Sequence, residues 1–150
     1  MLGANLHPPV ARGLCAACHR AEGPDPLERR APVGELCRTC HVDLGRSIAS
    51  ATSRHPPAAE GNCTACHDPH ASSERKLLRG GLRDVCGACH AQTVARLAGV
   101  PTVHPPVAAG RCAECHNPHG GKGPRLIRTE NSIELCGGCH VQRTGQIGFF

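Results

Sequence analysis

Apolar residues in this 150-residue chain come in ones and twos, interrupted by 13 prolines and 18 glycines, and nowhere alternate with polar residues over a strand's length. Little or no β-sheet is therefore predicted. Helices are expected over three stretches: Gly34 to Ala49, Val85 to Leu97 with a stop at Gly99, and Ile133 to Arg143, where Ser132 stands as N-cap and Glu134 falls in the first turn. Three His-Pro-Pro segments, opening at His7, His55 and His104, are excluded from helix interiors because paired prolines remove amide donors. They are expected to run extended or as polyproline. No apolar run approaches the length of a membrane span, so no transmembrane segment is predicted.

Composition raises the question of what fills the interior. A chain of this length ordinarily buries aromatic and branched aliphatic side chains, yet there is no Trp, no Tyr and no Phe apart from Phe149 and Phe150. Something other than side chains has to serve as the core.

All 12 cysteines fall into six copies of Cys-x-x-Cys-His. The pairs are Cys15 with Cys18, Cys37 with Cys40, Cys63 with Cys66, Cys86 with Cys89, Cys112 with Cys115 and Cys136 with Cys139, followed by His19, His41, His67, His90, His116 and His140. Two thiols at this spacing match the two vinyl groups of a porphyrin, and the adjacent histidine brings an imidazole to the iron. Each motif thus implies one covalently attached haem c with the histidine as its proximal ligand. Paired cysteines also build structural zinc sites, and cysteine-rich small chains are often disulfide-linked. Neither alternative calls for a histidine after every pair. Six haems would supply the missing apolar core, about one for every 25 residues, and the chain should be unfolded without them.

Charge is reinterpreted accordingly. The formal net charge of +5 and pI near 8.7 would ordinarily suggest nucleic acid or an anionic surface. Two propionates on each of six haems would carry the total to about −7, which makes the arginines and lysines counter-ions and argues against a nucleic-acid partner.

The chain also repeats with a period of about 49 residues. His7 to Cys15, His55 to Cys63 and His104 to Cys112 share the form H-P-P-x-A-x-G-x-C. Each unit continues through a second Cys-x-x-Cys-His, giving a single domain of three two-haem modules, about 1–50, 51–99 and 100–150. Lys76-Leu77-Leu78-Arg79 corresponds to Arg125-Leu126-Ile127-Arg128, whereas Leu27-Glu28-Arg29-Arg30 of the first module is only a loose counterpart.

Six bis-histidine haems need twelve histidines, and the chain has 11. Beyond the six proximal ones, His7, His55, His104, His70 and His119 all fall at repeat positions, which makes them the candidate distal ligands. Glu22 stands where His70 and His119 stand in the later modules. His70 lies only three residues beyond His67, too short a span to round the porphyrin edge with ease. It is expected to cross to the other haem of its own module, on Cys86 and Cys89, and His119 likewise to the haem on Cys136 and Cys139. The haem on Cys37 and Cys40 would then lack a partner.

The order H-P-P, C-x-x-C-H-x-P-H, leucine-containing connector, second C-x-x-C-H resembles the doubled-CXXCH multihaem cytochromes c from His7 to His140. That resemblance implies a haem-stack fold and a periplasmic or extracellular electron carrier working with redox partner proteins, other multihaem cytochromes among them. No catalytic residue is assigned, and small-anion reduction at one open haem is the weaker reading. Some similar cytochromes polymerise, one subunit supplying a distal histidine to the next, so a self-assembling conductive filament is the alternative. Haem attachment occurs outside the cytoplasm, so an export signal is expected, but Met1 to Leu6 has neither a charged nor an apolar signal region. A removed signal, a late start and a piece of a longer polypeptide all remain open.

Overall fold

The structure, a computed structural model, describes residues 5–25 and 27–140. Short helices dominate. They are α1 Pro8–Ala11, α2 Val33–Cys40, α3 Val42–Ser50, α4 Pro56–Ala59, α5 Leu82–Gly87, α6 Ala91–Ala98, α7 Pro105–Ala108 and α8 Ser132–Gly137. Single turns of 3-10 helix hold Cys15–Ala17, Cys63–Ala65 and Cys112–Glu114. The predicted class, mostly irregular chain with short helices, is what is found. None of the described helices is long and apolar enough to cross a membrane.

The His-Pro-Pro segments depart from the extended course expected of them. In each, the histidine is the N-cap and the two prolines are the first helical residues of α1, α4 or α7. A first turn has no intrahelical use for its amide protons, so proline costs nothing there and its fixed φ favours the turn. The cap histidine makes no side-chain capping bond. Its ring is left free for other work.

The two long predicted helices are each broken at a motif histidine. His41, at φ −92° and ψ 49°, separates α2 from α3, and His90, at φ −104° and ψ 37°, precedes α6. The stop at Gly99 holds, as that residue caps α6. At α8 the cap is Asn131, whose side chain accepts from the Glu134 N–H at 2.9 Å, and Ser132 is instead the first helical residue. The helix also stops early: α8 ends at Gly137 with Gly138 as its C-cap, before the motif histidine His140 and short of the Arg143 expected from the sequence, which lies outside the described residues.

Two small antiparallel ribbons tie the repeats together. β1 (Asn5–Leu6) pairs with β3 (Ala71–Ser72), in the register Asn5 to Ser72 and Leu6 to Ala71. β2 (Ser53–Arg54) pairs with β4 (Gly120–Gly121), Ser53 to Gly121 and Arg54 to Gly120. Each strand lies just before a His-Pro-Pro and reaches the segment just after the Cys-x-x-Cys-His-x-Pro-His of the next repeat. Side chains reinforce both ribbons. Asn5 donates to the carbonyls of Ser72, Ser73 and Glu74, while Ser53 donates to the Gly123 carbonyl and accepts from the Leu126 N–H.

A second seam lies on the other side of the repeat boundary. Arg38 donates to the carbonyls of Ala58 and Ala59, and Arg83 to that of Ala108, so α2 and α5 each grip the His-Pro-Pro helix of the following repeat. Gly34 and Gly61 meet backbone to backbone there. A β-carbon on Gly34 would come within 2.7 Å of the Gly61 Cα, and Gly61 itself has φ +81°.

Side chains build almost no core. Among the described residues Ile48 is the one buried hydrophobic side chain, while Leu14, Leu27 and Ile133 are 52, 76 and 64% exposed. The polypeptide exposes 11166 Å², where a compact protein of its mass exposes about 7,300 Å². The chain is a wrapping.

Gly34→Ala should lower the melting temperature of the mature protein by several degrees, because a methyl against the Gly61 backbone leaves two modules unable to close. Gly80→Ala, with open space around the added carbon, is the control and should melt like the wild type.

Candidate haem sites

Each Cys-x-x-Cys-His folds into one closed turn. The histidine N–H donates to the carbonyl of the first cysteine in all six, from His19 to Cys15 at 2.9 Å through His140 to Cys136 at 2.8 Å. In the first motif of each repeat the turn is 3-10; in the second it ends a helix. The second cysteine joins the same turn: the Cys115 N–H donates to Cys112 at 3.3 Å and the Cys139 N–H to Cys136 at 3.1 Å. The hairpin behind each first motif is closed by a bridge, His19 to Arg29, His67 to Leu78 and His116 to Ile127. Its far strand also donates to the second cysteine's carbonyl, from Arg30 to Cys18, Arg79 to Cys66 and Arg128 to Cys115, at 2.9 to 3.0 Å. The Arg30 and Arg128 side chains each add a bond at 2.9 Å to a carbonyl inside the motif, that of Ala16 and of Ala113. The first module's connector therefore does the same work one residue shorter, although its sequence matches loosely.

The cysteines form a file through the molecule. Burial pushes the Cys37 thiol up to about 11, with Cys63 and then Cys18 adding to the effect. Cys86 is raised by burial and by Cys112, and Cys66 by burial, Cys89 and Cys63. Thiols of neighbouring motifs thus lie close together from the first motif to the fifth. At the far end of the sequence Cys136 and Cys139 are both exposed, while Cys112 and Cys115 are half-buried. Among the described residues no three His, Cys, Asp or Glu side chains converge to hold a metal ion, so the four ligands of a tetrahedral zinc site are not assembled. All twelve thiols are free, which leaves the disulfide reading without support.

The histidine rings face one another in pairs across open space. His7 faces His41 at 6.2 Å between ring centres, His19 faces His70 at 5.9 Å, His55 faces His90 at 6.1 Å, His67 faces His119 at 6.0 Å and His104 faces His140 at 5.9 Å. The ring planes lie within 11 to 31° of each other. Two imidazole nitrogens, each about 2 Å from one metal ion with the ring centre about 1 Å behind, give centres about 6 Å apart. The gap fits an iron atom.

Tautomers agree with this. The Nδ1 of His7 bonds the Pro69 carbonyl and that of His55 the Pro118 carbonyl, both at 3.0 Å. His19, His67 and His116 bond the carbonyls of Leu27, Lys76 and Arg125 at 2.8, 2.8 and 2.9 Å. A carbonyl only accepts, so each Nδ1 carries the proton and the Nε2 lone pair is free for a metal. Lys76 and Leu77, like Arg125 and Leu126, have φ between 54 and 64°. This left-handed backbone, costly for residues other than glycine, presents the two acceptor carbonyls.

The residues present therefore fit haem c, with cysteine pairs for the vinyl groups and imidazole pairs for the iron. A family model described as the doubled CXXCH motif matches residues 7–46, 55–95 and 104–145. The chain belongs to the doubled-CXXCH multihaem cytochrome family. It is a multihaem c-type cytochrome, and its family role is that of an electron carrier. No curated protein matches it in sequence.

Within this cytochrome the ring pairs differ from the pairing expected within modules. His70 stands against His19, not His90, and His119 stands against His67, not His140. Both cross to the preceding repeat, because the β1–β3 and β2–β4 ribbons carry the Cys-His-x-Pro-His segments back onto it. The site on Cys86 and Cys89 is faced instead by His55, and the site on Cys136 and Cys139 by His104. The ring without a facing imidazole is consequently His116, which follows Cys112 and Cys115. His41, expected to lack a partner beside Cys37 and Cys40, faces His7.

The supporting carbonyls had no signature in the sequence. The turn acceptors, also missed, did have one: Asp68 Oδ1 takes the N–H of His70 at 2.8 Å and of Ala71 at 3.2 Å, and Asn117 Oδ1 takes the N–H of His119 at 3.1 Å. Their signal was the shared D/N-P-H spelling.

Those N–H bonds, His70 first, hold the Asp68 carboxyl below its ordinary value of 3.8. A lowered value means the ionised form is preferred in the fold, so its stabilisation is present above pH 3.8 and disappears as the pH falls through the lower, folded value. Asp68→Ala should lower the melting temperature of the mature protein at pH 7, modestly because the carboxylate is partly solvated, and the gap from wild type should close in acid. Asp68→Asn, which copies Asn117, should cost little at either pH.

Proposed function

We propose that this cytochrome carries electrons along six covalently bound haems, one on each cysteine pair, in a single three-module domain on the periplasmic or extracellular side of the cell. The axial pairs on this reading are His41 with His7, His19 with His70, His90 with His55, His67 with His119 and His140 with His104. The observation that carries it is the set of five imidazole pairs at 5.9 to 6.2 Å, each joining one motif histidine to one repeat histidine.

When bound, such a haem exchanges single electrons without making or breaking bonds to a substrate. The chain's own residues do the rest. Carbonyls of Pro69, Pro118, Leu27 and Lys76 lock the tautomer and orientation of His7, His55, His19 and His67. Facing imidazoles at five sites would hold the iron from both sides and keep substrates off it, and the proximity of cysteines from the first motif to the fifth supports a succession of sites in sequence order. Exposed arginines supply counter-charge for propionates, and redox partner proteins are the expected donors and acceptors.

Intact-mass spectrometry of material from a competent maturation host should show six haems added to the chain. Carbon monoxide should bind one haem per reduced chain, that of Cys112 and Cys115. The pairing itself is read from a combined variant: His70→Ala should raise the carbon monoxide stoichiometry to two, but in a background carrying Cys15→Ser and Cys18→Ser, which lacks the haem His70 serves, it should add none. An increase in that background would break the assignment of His70 to the first haem.

A further inference from the structure

Three features of the third repeat are left without the partners their counterparts have. His116 faces no imidazole, whereas His19 faces His70 and His67 faces His119. The Nδ1 of His104 has no carbonyl among the described residues, whereas those of His7 and His55 bond Pro69 and Pro118. Thr102 and Val103, the counterparts of β1 and β2, pair with no strand among the described residues. In the first two repeats one continuous segment of the next repeat supplies all three partners. It reads Cys-His-x-Pro-His and then two strand residues: proline for the carbonyl, histidine for the imidazole, strand for the ribbon.

A second copy of the chain offers no such segment. Its own Asp68 to Ser72 and Asn117 to Gly121 are engaged inside the molecule. At the corresponding place in its first repeat it has Arg20, Ala21, Glu22, Gly23 and Pro24, with no imidazole at 22 and no amide proton at 24. Glu22 is exposed. All eleven histidines are accounted for, ten of them in facing pairs.

We propose that the edge formed by Thr102–Val103, His104 and His116 is a docking site for a different cytochrome chain, one presenting a C-x-x-C-H-x-P-H module whose histidine becomes the distal ligand of the haem on Cys112 and Cys115. The proposal rests on the six-haem reading. It gives the three repeats a polarity: the first, with Glu22 at the donor position, offers no ligand, and the third is a socket. Ligand, ribbon and tautomer lock arrive together, so the sixth site is completed only by docking. The same geometry stands against a filament of this chain alone built through this edge.

The test converts the first repeat into a donor. Arg20→Asp, Ala21→Pro, Glu22→His and Pro24→Ser together write the missing segment into the first repeat of the full, haem-loaded chain. Wild-type protein should stay dispersed at high concentration and bind one carbon monoxide per chain. The four-residue variant should assemble head to tail, and its carbon monoxide binding should fall severalfold toward zero as the high-spin signal disappears. Adding Val103→Pro, which spoils the strand edge, should undo the assembly. Two results would overturn the proposal: a variant that matures fully yet stays dispersed with its open haem, or wild-type protein that closes its open haem by self-association. Should the four changes prevent maturation, Glu22→His alone, at an exposed position, is measured by concentration-dependent loss of carbon monoxide binding, and no loss counts against the docking edge. Haem count by mass is read separately, so fewer than six haems would mark a failure of the haem reading and not of the docking site.

Discussion

The gap of 5.9 to 6.2 Å between facing imidazoles is the constraint to which the rest of this structure answers. A gap of that width leaves the two rings out of direct contact, and on the proposed reading a haem iron would bridge it. Holding it requires backbone on both sides that does not collapse. The prolines that begin α1, α4 and α7 stiffen one side, and the closed Cys-x-x-Cys-His turns stiffen the other. The near absence of a side-chain core follows, since the space a core would occupy lies between the rings.

Interlocking of repeats is the second consequence. A histidine three residues beyond a motif cannot easily serve the metal of that motif, so it must reach another. The ribbons decide which one. By pairing the strand before His7 and His55 with the strand after the next Cys-His-x-Pro-His, the fold brings a histidine ring of one repeat to face a motif histidine of the repeat before it. Solenoid proteins share this logic of nearest-neighbour stabilisation, but here the interface is made of facing rings and hydrogen-bonded ribbon more than buried hydrocarbon. The glycine contact between Gly34 and Gly61 and the Arg38 and Arg83 bonds complete the boundary.

Strain and support sit where the metal sites need them. The left-handed pairs at Lys76–Leu77 and Arg125–Leu126 cost conformational energy, and what they obtain is a carbonyl aimed at the Nδ1 of His67 or His116. In the first repeat Leu27 delivers the same carbonyl through a shorter loop. The same contact is thus kept through backbone geometry even where side chains have diverged, and for that reason the first connector is only a loose counterpart by sequence.

Residue identity by itself determined the cofactor class, the motif spacing, the repeat, the histidine shortfall and the sparse short helices, because thiol, imidazole, proline and glycine chemistry is local. The five histidines outside the motifs were legible as a set, since each recurs at a repeat position. Their partners were not. Whether His70 meets His19 or His90 depends on a two-residue ribbon whose strands lie 67 residues apart in sequence, too short to leave an alternating pattern. The supporting carbonyls of Leu27, Pro69 and Arg125 are equally invisible, because every residue has one and only the fold aims it. Tertiary structure alone therefore decided which imidazole is left facing none, and it moved that position from His41, beside Cys37 and Cys40, to His116, beside Cys112 and Cys115.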